Sequence, residues 1–271
     1  MVTRLHRFVA VDGTAFPEGQ DRPLGVQVWL PDVYEAFVTR VFHRMRSNPV
    51  ARALLADLRR DIEIRPWPDH ARLNSTCNPV DVRNATVAGH GVPQCFNPVP
   101  ECLGTGRGTE ATIEFTPQIF PRLGPFGHRR VDGWILVTVD EVLLHELVHA
   151  DQMGWGAEAY SRVAGQYQTL GEFCAVWVTN VYRSYLGRCP RLGHDGGPWS
   201  RARGDIMNPF TYDKMTRHEK DLLHELHAIH PSLFNAIGNL APNSFSRNPF
   251  RDYLRRLRGR PTMPVRSSPR G

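Results

Sequence analysis

The sequence predicts an α+β domain, mostly helical, with a small sheet and one long irregular insertion. Three observations carry this expectation. Apolar residues recur every three or four positions over residues 31–61, 138–153 and 171–187, the period of helices that turn one side to a core. Ile62–Arg65 and Thr112–Thr116 alternate apolar and polar residues, as short strands do. Residues 67–108, rich in Pro, Gly and Asn, sustain neither period. With 271 residues, 41% of them hydrophobic and 22% charged, the chain is neither a disordered tail nor a fibre. Its apolar runs, such as Trp134–Val137, fall far short of the roughly 20 residues that span a bilayer.

The first 30 residues show no clear period. Pro31 sits where the first turn of a helix tolerates it and opens a stretch in which Val33, Phe37, Val41 and Met45 form one stripe. Asn48-Pro49 starts a second helix, with Asn48 as its N-cap. Ile62-Glu-Ile-Arg then reads as a strand ended by Pro66 and Pro68. After the insertion, Thr112–Thr116 and Gly133–Thr138 are strands, and the second feeds directly into a helix. Residues 1–244 are expected to form the domain and 245–271 a flexible tail.

The net charge of +6 belongs to that tail. Residues 245–271 hold eight arginines against Asp252, a balance of +7, so the remaining 244 residues sum to −1. Such a segment offers a surface to nucleic acid or anionic lipid, or is simply a solvated end. Lys214 and Lys220 are the only lysines, an arginine excess that points to a GC-rich, bacterial coding sequence. Cys95 and Cys102 bracket a loop short enough for a disulfide in an oxidising compartment, and reduced thiols fit equally well; Cys77, Cys174 and Cys189 complete the five. Asp12 interrupts any apolar run behind the basic opening, so the expected location is the producer's cytoplasm.

The chemistry concentrates in residues 138–153. Thr138 and Glu141 have the spacing of a capping box. Behind them comes His145-Glu146-Leu147-Val148-His149, a His-Glu-x-x-His pattern. Residues four apart share a helix face, so both imidazoles can reach one ion, and the intervening Glu146 is placed to hold its water as general base. Twelve histidines and twelve glutamates in 271 residues give about 0.02 accidental matches, so chance is a poor account of it. A catalytic zinc takes a third protein ligand. Gln152 and Trp155 stand where an extended three-histidine pattern needs Gly and His, which leaves Glu158, Glu172, His194, Asp195 and Asp205. Glu172 is preferred, because 23 residues after His149 allow a loop and a return helix that presents its first turn to the metal.

A zinc helix followed by a glutamate on the next helix resembles the gluzincin branch of the zincin metallopeptidases. More narrowly, DEVLLHELVHA (140–150), the upstream NPVARALLADL (48–58) and the downstream GEFCAVWVTNVYRSYLGR (171–188) resemble bacterial effector zinc metallopeptidases. The resemblance spans residues 31–64 and 108–195, and only His145, Glu146, His149 and Glu172 match as site residues. It implies a zincin-like domain, one Zn2+ per chain and cleavage of a host or rival protein, with export through a secretion apparatus or chaperone and no cleavable signal. Segment 67–108 and the arginine tail have no counterpart in it. Val176, one turn after Glu172, is not the acid that orients the zinc ligands in many gluzincins, so what orients them is open.

Tyr182, His194 and Tyr212 are candidate donors to the oxyanion, with packing or surface roles as the plainer reading. His224-Glu225-Leu226-His227-Ala228 breaks the metal pattern at Ala228; with Thr216 and Glu219 as its cap and Pro231 as its end, it reads as an ordinary helix, although His227 and His230 could hold a metal weakly. Asp205–Pro209 is a weak turn signal. Two rival readings stand beside the zinc endopeptidase. One is a nucleic-acid-associated protein bound through the tail, its zinc structural or serving a tethered protease. The other is a binding protein whose pocket is plugged by 67–108, against which the intact Glu146 argues.

Overall fold

The computed structural model describes residues 2–14, 30–66, 75–93, 100–115, 128–131, 135–164, 167–191, 193, 211–243 and 247–259. Helix α1 (Pro31–Arg46) buries Phe37, Val41 and Met45 of the predicted stripe together with Tyr34, Val38 and Phe42, while Val33, expected to open the stripe, is exposed in the first turn. Asn48 caps α2 (Pro49–Asp57): its Oδ1 accepts from Val50 N–H at 2.9 Å while its amide donates to Tyr182 O at 3.1 Å. Helix α2 ends four residues earlier than expected, because Leu58 turns extended (φ −53°, ψ 136°) and leads into β3 (Ile62–Pro66).

Five strands form one sheet in the order β1-β2-β3-β5-β4, with β1 (Val2–His6), β2 (Val9–Asp12), β4 (Ser75–Pro79) and β5 (Ala111–Phe115). The inner pairs β2–β3 and β3–β5 are parallel; the edge strands β1 and β4 run antiparallel to their neighbours. Two of these strands correct the sequence reading. The opening residues were expected to lack a period, yet Val9 and Val11 alternate into the core. The alternation is too short to stand out. Segment 67–108 is not wholly irregular: β4 pairs Cys77 with Ile113, and a short helix α3 (Val82–Ala85) follows. Ser-Thr-Cys-Asn-Pro carries no apolar alternation because an edge strand that is half-buried does not need one.

The hairpin β6 (His128–Val131) and β7 (Ile135–Thr138) runs straight into α4 (Val139–Trp155). Thr138 N–H donates to Glu141 Oε2 at 3.3 Å, and Glu141 also pairs with Arg183 and Arg188. Nearly every side chain of α4 is buried, as befits a helix surrounded by other elements. It stops at Gly156, whose φ of +66° places the site of a Cβ 2.3 Å from the Gly106 carbonyl carbon, so only glycine fits. Helix α5 (Leu170–Tyr185) packs along α4, with its Tyr182 and Arg183 bonded to Asp140 and Glu141 of that helix.

Helices α6 (Arg217–Ile229), α7 (Pro231–Gly238) and α8 (Pro249–Gly259) close the fold. The α6 capping box is formed, with Thr216 N–H donating to Glu219 Oε2 at 2.7 Å. Helix α8 corrects the expectation of a flexible tail from residue 245. Phe250, Tyr253 and Leu254 are buried, Phe250 stacks on Phe234 with centroids 4.9 Å apart, and Arg256 pairs with Asp213. The density of arginines hid that apolar spacing. Arg260, Arg266 and Arg270 lie outside the described residues. No described helix is long and apolar enough to cross a membrane.

Candidate functional site

One turn of α4 separates His145 from His149, and their rings meet edge to face with centroids 5.0 Å apart. Glu172 comes from the first turn of α5, where its backbone N–H donates to the Thr169 cap at 3.1 Å. The carboxylate meets both imidazoles: His145 Nε2 lies 3.3 Å from Oε2 and His149 Nε2 lies 3.5 Å from Oε1. Two atoms each about 2.0–2.1 Å from a tetrahedral ion stand about 3.3–3.4 Å apart, so these spacings fit one zinc-sized cation. The three residues are the donor group that the sequence reading preferred, and each offers one atom within 4.8 Å of the others.

Glu158, a rejected candidate for third ligand, has a different position. Its Oε2 meets His149 Nδ1 at 3.2 Å, the ring nitrogen that does not face Glu172. An acceptor there fixes the proton on Nδ1 and leaves Nε2 as the ligating atom. The backbone of Glu158 is held from both sides, its N–H donating to Ala85 O at 3.0 Å and its carbonyl accepting from Val87 N–H at 3.1 Å. Segment 67–108 thus braces the site. Gly171 completes the fit: a Cβ on it would lie 1.8 Å from Glu158 Oε1.

Charge around the two rings is unbalanced. Burial opposes a protonated His149, yet the Glu158 and Glu172 carboxylates outweigh it and hold its pKa well above the ordinary value. Burial alone would raise the Glu172 carboxyl, but hydrogen bonds from His145 and His149 more than reverse this and hold it well below the usual range. Both shifts express one fact: this cluster has more carboxylate than cation. Glu146 is buried beside them, its pKa pushed up to about 7 by burial and by Glu172, against the pull of His149 and a hydrogen bond from Ser75.

These groups line a cavity of about 570 Å3 whose wall includes edge strand β4, Met153 and Tyr160. Burial, with the Glu158 and Cys77 charges, raises the Tyr160 phenol, so it stays protonated as a donor. Sequence reasoning missed Tyr160 and β4, because both lie in segments without a period. The donors it named lie elsewhere: Tyr182 O–H donates to Asp140 Oδ2 at 2.6 Å inside the core, and Tyr212 lines a separate cavity with Lys220 and Arg256. His194, Asp195 and Asp205 lie outside the described residues, as does Cys95. Cys102 is disulfide-bonded, while Cys77, Cys174 and Cys189 are thiols.

No known protein family matches the chain, and no curated protein does. Among solved structures it is similar to the light chain of Clostridium botulinum neurotoxin serotype F, with 12% identity and a TM-score of 0.41 over 93% of this chain and 67% of that one. A likeness of that size carries no functional weight; the geometry of the cavity does.

Proposed function

We propose that the chain is a zinc-dependent endopeptidase, with His145, His149 and Glu172 holding the ion and Glu146 as general base. The observation that carries this is the meeting of both Nε2 atoms with the two oxygens of Glu172, on the wall of a cavity shared with Glu146 and an open strand edge.

When bound, the ion supplies Lewis-acid polarisation of a peptide carbonyl and of the attacking water. Glu158 holds the His149 ring in register. Glu146, buried and with a pKa of about 7 before any cation pulls it down, takes the proton of the attacking water and passes it to the leaving amine. Among the described residues strand β4 pairs with β5 alone, so its other edge can take an extended peptide by strand addition, with side chains at alternate positions reaching the cavity. Tyr160 donates to the carbonyl oxygen as charge develops on it. The resemblance of residues 140–150 to effector metallopeptidases supplies the proposed setting: a bacterial effector or toxin that cuts a protein of another cell. The nucleic-acid reading gains no support from α8, where Arg251, Arg256 and Arg258 contact Tyr185, Asp213 and Asn239.

The test pairs metal with turnover. Zinc-loaded chain is incubated with a peptide library beside Glu146→Gln and Glu172→Ala. Glu146→Gln should keep its zinc and lose hydrolysis, and Glu172→Ala should lose both. Full turnover by Glu146→Gln, or unchanged metal in Glu172→Ala, overturns the assignment.

A further inference from the structure

A second group of ligating side chains lies round the same helix. Asp151 follows His149 by two residues, about 200° round α4. There it meets Asp57, the last residue of α2, and His230, the residue between α6 and α7. Each offers one ligand atom, and the three atoms lie within 4.8 Å of one another.

We propose that Asp57, Asp151 and His230 bind a second divalent transition-metal ion, whose role is structural. Four observations lead there. Asp151 and His230 are fully buried, with side-chain exposures of 0% and 1%. Each of the three residues carries a buried polar atom with no hydrogen-bond partner: Asp57 Oδ2, Asp151 Oδ1 and His230 Nδ1. Native interiors rarely leave buried polar atoms unpaired, and a ligand is one standard reason when they do. The single direct bond, His230 Nε2 to Asp151 Oδ2 at 3.0 Å, leaves all three unsatisfied. Finally, the surroundings orient the group. Ser232 Oγ donates to Asp57 Oδ1, and Trp155 Nε1–H donates to Asp57 O at 3.1 Å while its ring lies 5.6 Å from that of His230.

One imidazole and two carboxylates suit Zn2+, Mn2+ or Fe2+. The cation would meet the unpaired oxygens of Asp57 and Asp151, and its charge would offset the two carboxylates. Asp151 and His230 are buried and Asp57 is half-buried beside Trp155, whose ring has the Arg59 guanidinium 3.0 Å above it, so the group is more enclosed than the cavity site. An ion there would fasten α2 and the α6–α7 junction to the helix that carries His145 and His149. The proposal does not depend on the peptidase reading, and it raises the expected metal content from one ion per chain to two.

The test is metal content after equilibration with Zn2+ and gel filtration, in the full chain. Wild type should carry two ions, His149→Ala one, Asp57→Asn one, and the double variant none. Added Zn2+ at a hundredfold excess over its Kd should raise the Tm of His149→Ala by about 5–10 °C, and not that of the double variant. Because a double variant can fail to fold, Co2+ loaded into His149→Ala gives a second readout. Visible d–d absorption supports the site, and its absence with one equivalent of Co2+ added overturns it. One ion in wild type and none in His149→Ala would sink this proposal and leave the cavity site standing. One ion lost with Asp57→Asn and kept in His149→Ala would do the reverse. An ion-free wild type defeats both.

Discussion

The two faces of α4 use the same kinds of side chain under opposite conditions. Toward the cavity, His145, His149 and Glu172 have side-chain exposures of 7%, 11% and 26% and line a cavity of about 570 Å3. On the other side, Asp151 and His230 are sealed beneath Trp155. His145 Nε2 and His149 Nε2 each have a Glu172 oxygen within 3.5 Å, and in the sealed group His230 Nε2 meets Asp151 Oδ2 at 3.0 Å. An open donor set leaves room for water and substrate to exchange; a closed one can only hold what it binds. Ligand identity alone would not separate the two. Access does.

The largest expected effects break the comparison on the open side alone. Glu146→Gln should lower peptide hydrolysis about 10²–10⁴-fold with metal content unchanged, as measured by kcat/KM and elemental analysis. The sealed face should be indifferent to it. Tyr160→Phe comes next: loss of a donor to the developing oxyanion should cost about 10²-fold in kcat with KM little changed. Tyr182→Phe is its control, since that phenol is spent on Asp140. Equal losses of kcat in the two variants would return the donor's role to Tyr182.

A smaller effect tests how the open face is braced. Glu158→Gln should weaken zinc binding about 10–100-fold in competition with a chelator, because the charged acceptor that fixes the His149 Nδ1 proton becomes a neutral amide oxygen. Gly171→Ala should act in the same direction through the same residue, since the new methyl group must displace the Glu158 carboxylate. If Gly171→Ala weakens zinc and Glu158→Gln does not, the bracing runs through α5 and Glu172 instead.

How each face was spelled in the chain follows from the same contrast. His145 and His149 are one helical turn apart, so their geometry is local and could be read directly. Glu172 was legible because 23 residues after His149 leave room for a loop and a return helix that starts there. Glu158 was noticed, but its role was not: whether a carboxylate reaches the metal or the histidine behind it depends on a loop pinned by Ala85 and Val87, far away in sequence. Strand β4 was missed because its pairing, not its composition, makes it a strand. Of the sealed group only His230 was noticed, as a weak metal ligand beside His227, and its partners here were not. Its members are separated by 94 and 79 residues, on three elements, and His230 ends a stretch whose helical pattern is accounted for by packing. Helix α8 shows the opposite failure, in which strong local composition concealed a buried apolar face.

The finest distinction between the faces rests on Trp155. Its Nε1–H donates to Asp57 O, and its ring lies between His230 and Arg59, so it touches the sealed group and no residue of the cavity wall named above. Trp155→Phe keeps an aromatic ring there but deletes the donor. One lost hydrogen bond should reduce stability by about 0.5–1.5 kcal/mol, readable as a lower urea midpoint with an unchanged slope. The ion held by Asp57, Asp151 and His230 should also leave faster under chelator, because Asp57 is less firmly placed. Hydrolysis by zinc-loaded protein should stay within about twofold of wild type, since a lost backbone contact at the end of α4 lies more than one turn from His149. A parallel fall in hydrolysis would mean that α4 transmits the state of one face to the other. The sealed ion would then be a control on the open site, and not only a fastening behind it.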